Sequence, residues 1–248
     1  MATKRLAVRR RTRPDDPEIT TRQARLAAYA DLRPDAERPA RPELQAGNAK
    51  TGLNGRFFGA IRVWNLPPMA TCPGRSAWCS ANCYNADDRP DIYAISDWEA
   101  NWRAVEGAPE ATRDYVLQEL AASPGPVGVR IHSSGDFYSA AYMDWWGEIL
   151  DRAPDVRFWA YTRSWSRPEL QAPLAALRRR PNLQLFASWD RTMPPPPAGW
   201  RLSLMSEDVD QSDPRNLVCP EQYAGGKSCA DCGYCILKRG GNVVFHTH

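Results

Sequence analysis

The sequence has no run of eighteen apolar residues, so nothing in it reads as a membrane-spanning helix. Its first thirty residues lack the apolar core of a secretion signal, which points to a reducing cytoplasm. An even cysteine count is missing as well. Seven cysteines in two tight groups suit disulfide pairing poorly and metal binding well. No solenoid-type repeat is present. The stretch Gly47-Asn48-Ala49-Lys50-Thr51-Gly52 lacks the spacing of a phosphate loop, because its first glycine lies only three residues before Lys50. A nucleotide-triphosphate site is therefore excluded, and Lys50 reads as a surface lysine or as one facing a pocket.

Acids are absent from the first thirteen residues, which hold six cations: Lys4, Arg5, Arg9, Arg10, Arg11 and Arg13. The net charge of +3 thus leaves 26 cations against 29 acids in the rest of the chain. The body is not a basic nucleic-acid platform; only the tail is basic. Residues 1–46, rich in Arg and Pro, read as a flexible N-terminal tail with a short helix within 17–30. Residues 1–13 are where nucleic acid or an acidic partner would be met.

What the sequence does hold is a loop of three thiols. Cys72, Cys79 and Cys83 follow the apolar run 61–66 and the breaker Pro67-Pro68. Three protein ligands are one too few for a closed tetrahedral zinc site. They suit a 4Fe–4S cluster with one iron left open for a small-molecule ligand.

Residues 47–206 alternate between strand and helix patterns. Residues 60–66, 127–131, 156–161, 183–187 and 200–205 read as strands. Residues 92–105, 109–122, 138–152 and 168–179 read as helices. This rhythm predicts an α/β fold with a mostly parallel sheet, whose ligands gather at the carboxyl ends of the strands. The loops there carry Cys72, Cys79 and Cys83, then His132, Ser134 and Asp136, then Thr162 and Arg163, then Ser188 and Asp190. His132 reads as a catalytic or a core histidine. Asp136 reads as facing a ligand or as capping the following helix, and Arg163 as gripping a carboxylate or phosphate or as a structural ion pair. Trp145, Trp146, Trp159, Trp165 and Trp189 read as core.

Residues 207–248 form a cysteine-rich segment. Cys219 precedes the run Cys229, Cys232, Cys235, spaced C-x2-C-x2-C, a ligand set resembling that of ferredoxin clusters. Four thiolates also satisfy zinc completely, so a second 4Fe–4S cluster and structural zinc both stand.

A strand, a three-cysteine loop and repeated βα units resemble the radical S-adenosylmethionine superfamily and its partial (β/α) barrel. The spacing here is C-x6-C-x3-C rather than that family's C-x3-C-x2-C. The resemblance implies S-adenosylmethionine on the open iron, contacts from Ser134, Gly135 and Asp136, and an external electron donor. Over roughly residues 46–240 the ordered set GNAKTG, NLPP, TCP, RIHSSGDFYS, WAYTRSW and the late cysteine run is similar to the actinobacteriophage gene product 88 family. That likeness implies an iron–sulfur protein of a bacterial or phage-infected cytoplasm, with no reaction assigned.

Overall fold

The computed structural model describes residues 21–246 apart from positions 36, 38, 39, 49, 53, 54, 87–91, 224, 238 and 239. The basic stretch 1–13 with its expected partner, the start of the helix expected within 17–30, and His248 lie outside the described residues.

Eight strands form one sheet: β1 (Gln45–Ala46), β2 (Ala60–Trp64), β3 (Val127–Ile131), β4 (Arg157–Thr162), β5 (Leu183–Ser188), β6 (Arg201–Met205), β7 (Asn216–Val218) and β8 (Asn242–Phe245). Their order is β1-β2-β3-β4-β5-β6-β8-β7. Only β1 on β2 is antiparallel; the other pairs are parallel. The mostly parallel α/β architecture expected from the strand–helix rhythm is therefore present. Strands from within residues 1–46 and 207–248 belong to the same sheet as the centre of the chain.

The helices are α1 (Arg22–Ala30), α2 (Ala77–Ala81), α3 (Ile92–Gly107), α4 (Pro109–Ala122), α5 (Ala140–Arg152), α6 (Pro168–Arg178), α7 (Cys229–Cys232) and α8 (Tyr234–Leu237). The helix expected at 138–152 starts two residues late. Ser139 is its N-cap and accepts from the Tyr142 amide at 3.1 Å, so capping falls to this serine and not to Asp136.

Strand side chains alternate between two faces, and each face has its own cover. Val127, Val129 and Ile131 of β3, Phe158 and Ala160 of β4, and Leu183, Leu185 and Ala187 of β5 pack with residues of α3 to α6 in the main core. Trp145, Trp146 and Trp165 are buried there, as expected of core tryptophans, and Trp189 packs half-buried against it. Trp159, Tyr161 and Phe186 point the other way, where Ala230, Ile236 and the late cysteines meet them. A parallel sheet needs both faces dry. The cysteine-rich segment supplies the second cover.

Candidate functional site

The loop after β2 is built against its neighbours before any thiol is considered. Asn65 follows the strand directly; its side-chain oxygen accepts from the Ser133 amide and hydroxyl, each at 2.8 Å, and from the Ser134 amide at 3.0 Å. Leu66 donates its amide to the Ser134 carbonyl at 3.0 Å. Gly135 follows at φ +84°, and a Cβ there would lie 2.6 Å from the Leu66 Cβ and 2.8 Å from the Thr71 hydroxyl. Only glycine lets the two loops come this close. Gly74 does the same for the loop after β4, since its Cβ would lie 2.1 Å from the Arg163 carbonyl oxygen.

Cys79 sits on α2. Ser76 caps that helix by accepting from the Cys79 amide at 2.9 Å, and donates its hydroxyl to the Asp190 carboxylate at 2.6 Å. Arg163 pairs with the same Asp190 oxygen and lies 3.0 Å from the Met193 sulfur. Cys83 packs with Tyr29, Met69 and Ile95 beneath α1, and Arg22 donates to the carbonyls of Ala81 and Cys83. The loops after β2, β3, β4 and β5 thus meet at one edge of the sheet.

Electrostatics agree with this gathering. Burial pushes the Cys72 thiol well above its usual value, and the Asp136 carboxylate and the sulfurs of Cys79 and Cys83 push it further. Burial also raises Cys79; Arg163 opposes this, while Asp136 and Asp190 add to it. Asp136 is itself raised by burial, against the hydrogen bonds that hold it. Its carboxylate accepts from the Phe137 amide at 2.7 Å, the Thr162 hydroxyl at 2.6 Å and the Arg163 amide at 2.8 Å. It ties the β3 loop to the β4 loop within electrostatic reach of the trio. The hydroxyl of Ser134 is buried without a partner. His132 does not join the sulfurs. At φ +67° it turns beneath α5, with Nε2 2.8 Å from the Tyr142 hydroxyl and its ring against Phe137. Arg163 makes the ion pair rather than an open grip.

The second group lies on the opposite face from the main helices. Cys219, Cys229, Cys232 and Cys235 line one cavity with Lys50, Arg130 and Tyr161. Burial raises Cys229 to about 11, with Arg130 pulling the other way and Cys219 adding to the rise. Burial lifts Cys235 to about 12, opposed by a hydrogen bond with Tyr161 and raised again by Cys229 and Cys219. The GNAKTG loop, which fails as a phosphate site, is what holds this group. The Lys50 carbonyl accepts from the Cys229 amide at 3.0 Å, and the Thr51 carbonyl from the Ala230 amide at 2.9 Å. The Lys50 ammonium turns into the cavity and pairs with Glu221 at 3.0 Å. Sequence reasoning met Arg130 only as the first residue of RIHSSGDFYS and gave it no role, because a cation inside an apolar strand run does not show which cavity it faces.

None of the seven cysteines is in a disulfide. Among the described residues, no three His, Cys, Asp or Glu side chains are drawn together closely enough to hold a metal ion as they stand. The donor chemistry nevertheless fits soft metals: two groups of cysteines outside any disulfide, no imidazole beside them among the described residues, and cations beside each group. No helix among the described residues is long and apolar enough to cross a membrane.

Fold and site define an α/β protein with a mostly parallel eight-stranded sheet and two gatherings of cysteines outside disulfides, one at the strand ends and one on a sheet face. The chain belongs to the Gene product 88 family, which it matches over residues 40–238. It is similar to the Gene 88 protein of Mycobacterium phage L5, 30% identical over 207 residues that cover 71% of this chain and 82% of that protein. It also resembles the Gene 88 protein of Mycobacterium phage D29, at 28% identity over 206 residues with the same coverage. No solved structure matches the chain.

Proposed function

We propose that this is an iron–sulfur protein of radical-S-adenosylmethionine-like type. In this reading Cys72, Cys79 and Cys83 hold a 4Fe–4S cluster with an open iron, and Cys219, Cys229, Cys232 and Cys235 hold a second metal centre. The observation that carries it is the convergence of four strand-end loops on the cysteine trio, through Asn65, Gly74, Ser76, Asp136, Arg163 and Asp190. Such loops are where parallel sheets bind ligands. When bound, a cluster with an open iron supplies one-electron reduction to a small molecule held there.

The chain's own residues would do the rest. Asp190 and Ser76 fix the helix that presents Cys79. Asp136 fixes the β3 and β4 loops beside the trio; with three internal donors already on its carboxylate, its role is positioning rather than grip on a ligand's amino group. The α1 helix, with Tyr29 against Cys83, screens the trio from water on one side. Metal binding would displace the protons that burial keeps on Cys72 and Cys79.

Anaerobic reconstitution followed by iron and sulfide analysis tests the reading. About eight irons per chain are expected for two cubanes, falling to about four in Cys79→Ala and Cys235→Ala variants taken singly. Dithionite and S-adenosylmethionine should then yield 5′-deoxyadenosine. A chain that takes up no iron overturns the reading. Full iron without cleavage of S-adenosylmethionine leaves an iron–sulfur protein whose open iron serves another ligand.

A further inference from the structure

Arg130 lies on β3, paired in register with Val63 on one side and Trp159 on the other. It points to the face covered by the cysteine-rich segment and lines the same cavity as Cys219, Cys229, Cys232 and Cys235. Its guanidinium carbon stands 5.8 Å from the centroid of the Tyr161 ring, and its Nε is buried with no acceptor. No carboxylate pairs with it among the described residues. The neighbouring Lys50 is different, because Glu221 already answers its charge at 3.0 Å.

A guanidinium cannot shed its proton in a protein, so it cannot escape burial by becoming neutral. A half-buried cation with no counterion is costly, and sequences retain it where an anion is supplied. The anion on offer in this cavity is the four-sulfur centre. Four thiolates on a metal leave a net negative charge, and one-electron reduction deepens it. A fixed cation beside them favours the reduced form more than the oxidised one.

We propose that Arg130 is a positioning residue for the four-cysteine centre, supplying its countercharge and raising its one-electron potential. The inference rests on the reading of that group as iron–sulfur. It would make the sheet itself, and not only the cysteine loops, a component of the centre.

The test uses full-length protein reconstituted anaerobically, as native chain, Arg130→Gln, Arg130→Lys and Lys50→Met. Iron and sulfide content and a redox titration followed by electron paramagnetic resonance are measured on each. Arg130→Gln should keep its iron while the reduced-to-oxidised ratio at fixed poise falls about tenfold, a shift of about 59 mV for a one-electron couple. Arg130→Lys should recover most of that shift, and Lys50→Met should move the potential less than Arg130→Gln. An unchanged potential in iron-replete Arg130→Gln overturns the proposal. Where Arg130→Gln loses its metal, Arg130→Lys decides: retained iron supports the role of charge, and loss in both variants overturns it in favour of shape. Zinc in place of iron at the four cysteines removes the second paramagnetic signal from the native chain. That outcome sinks the iron–sulfur reading of this group, and is distinct from failure of Arg130 alone.

Discussion

Burial and the Arg130 charge push the His132 pKa down to about 3, so the ring stays neutral in the native protein near neutral pH. An unfolded histidine titrates near about 6.5. Between these values the unfolded chain takes up a proton that the native state refuses. The stability involved is fully present above about pH 6.5 and drains away as pH falls, at a slope of up to about 1.4 kcal/mol per pH unit. Replacing the ring should remove this slope. His132→Asn suits the site because asparagine tolerates the positive φ of +67°. Urea midpoints at pH 7 and pH 4.5, in the same state of metal loading, should drop further for the native chain than for His132→Asn. Equal drops would place the ring in contact with water. The residue type at 132 was legible in the sequence and its role was not, since only the turn at positive φ decides that the imidazole faces Tyr142 and not the cysteines.

Among the elements, α2 shows how little local propensity has to do with holding Cys79. A five-residue helix is far too short to persist alone. It stands because Ser76 caps it and because Asp190, fully buried at 0% exposure, accepts from Ser76 while pairing with Arg163. Burial pushes the Asp190 pKa up, yet hydrogen bonds from Ser76 and Thr192 and the Arg163 charge hold it below its usual value. Asp190→Ala leaves that guanidinium, only 11% exposed, without its partner. The expected cost is about 3–5 kcal/mol, against about 2 kcal/mol for Ser76→Ala, which removes the cap and one donor to Asp190 but leaves the ion pair. Denaturant unfolding gives both numbers, and alkylation of Cys79 in the apoprotein should quicken more in Asp190→Ala. Gly74→Ala should be as damaging as the aspartate change, because its Cβ would strike backbone at 2.1 Å that no side-chain rotation can relieve. The strands and long helices from residue 60 to 205 were legible because their apolar periods span several turns or a full strand. The strands β1, β7 and β8 were not. At two, three and four residues they are too short to show a period, and they exist through pairing with partners far along the chain.

For the molecule as a whole, the cysteine-rich segment does two jobs that sequence reading separated from the core. It brings four thiols together, and it closes the second face of the sheet over Ile61, Trp159, Tyr161 and Phe186. Its anchor is the loop before β2: Phe57 donates its amide to the Ala230 carbonyl at 3.0 Å, Arg56 donates its amide to Asp231 at 2.9 Å, and Lys50 and Thr51 receive the α7 amides. The GNAKTG stretch shares a phosphate cradle's small, amide-rich composition without its spacing, and here such a backbone grips another piece of the same chain. Cover and the proposed metal binding can be pulled apart. A chain ended after residue 206 loses β7, β8, α7 and α8, and uncovers Ile61, Trp159, Tyr161 and Phe186 as one apolar patch of the kind that drives association. It should aggregate or elute as large species in size-exclusion chromatography and bind a hydrophobic dye. The Cys229→Ser, Cys232→Ser variant of the whole chain keeps those elements and loses only the two proposed ligands, so it should remain monodisperse with a lowered thermal midpoint. Equal behaviour of the two would mean that metal, and not apolar contact, holds the segment on the sheet. The buried faces of Ala230, Ile236 and Val243 argue for contact, since each lies at 3% exposure or less with no ligand needed to put it there.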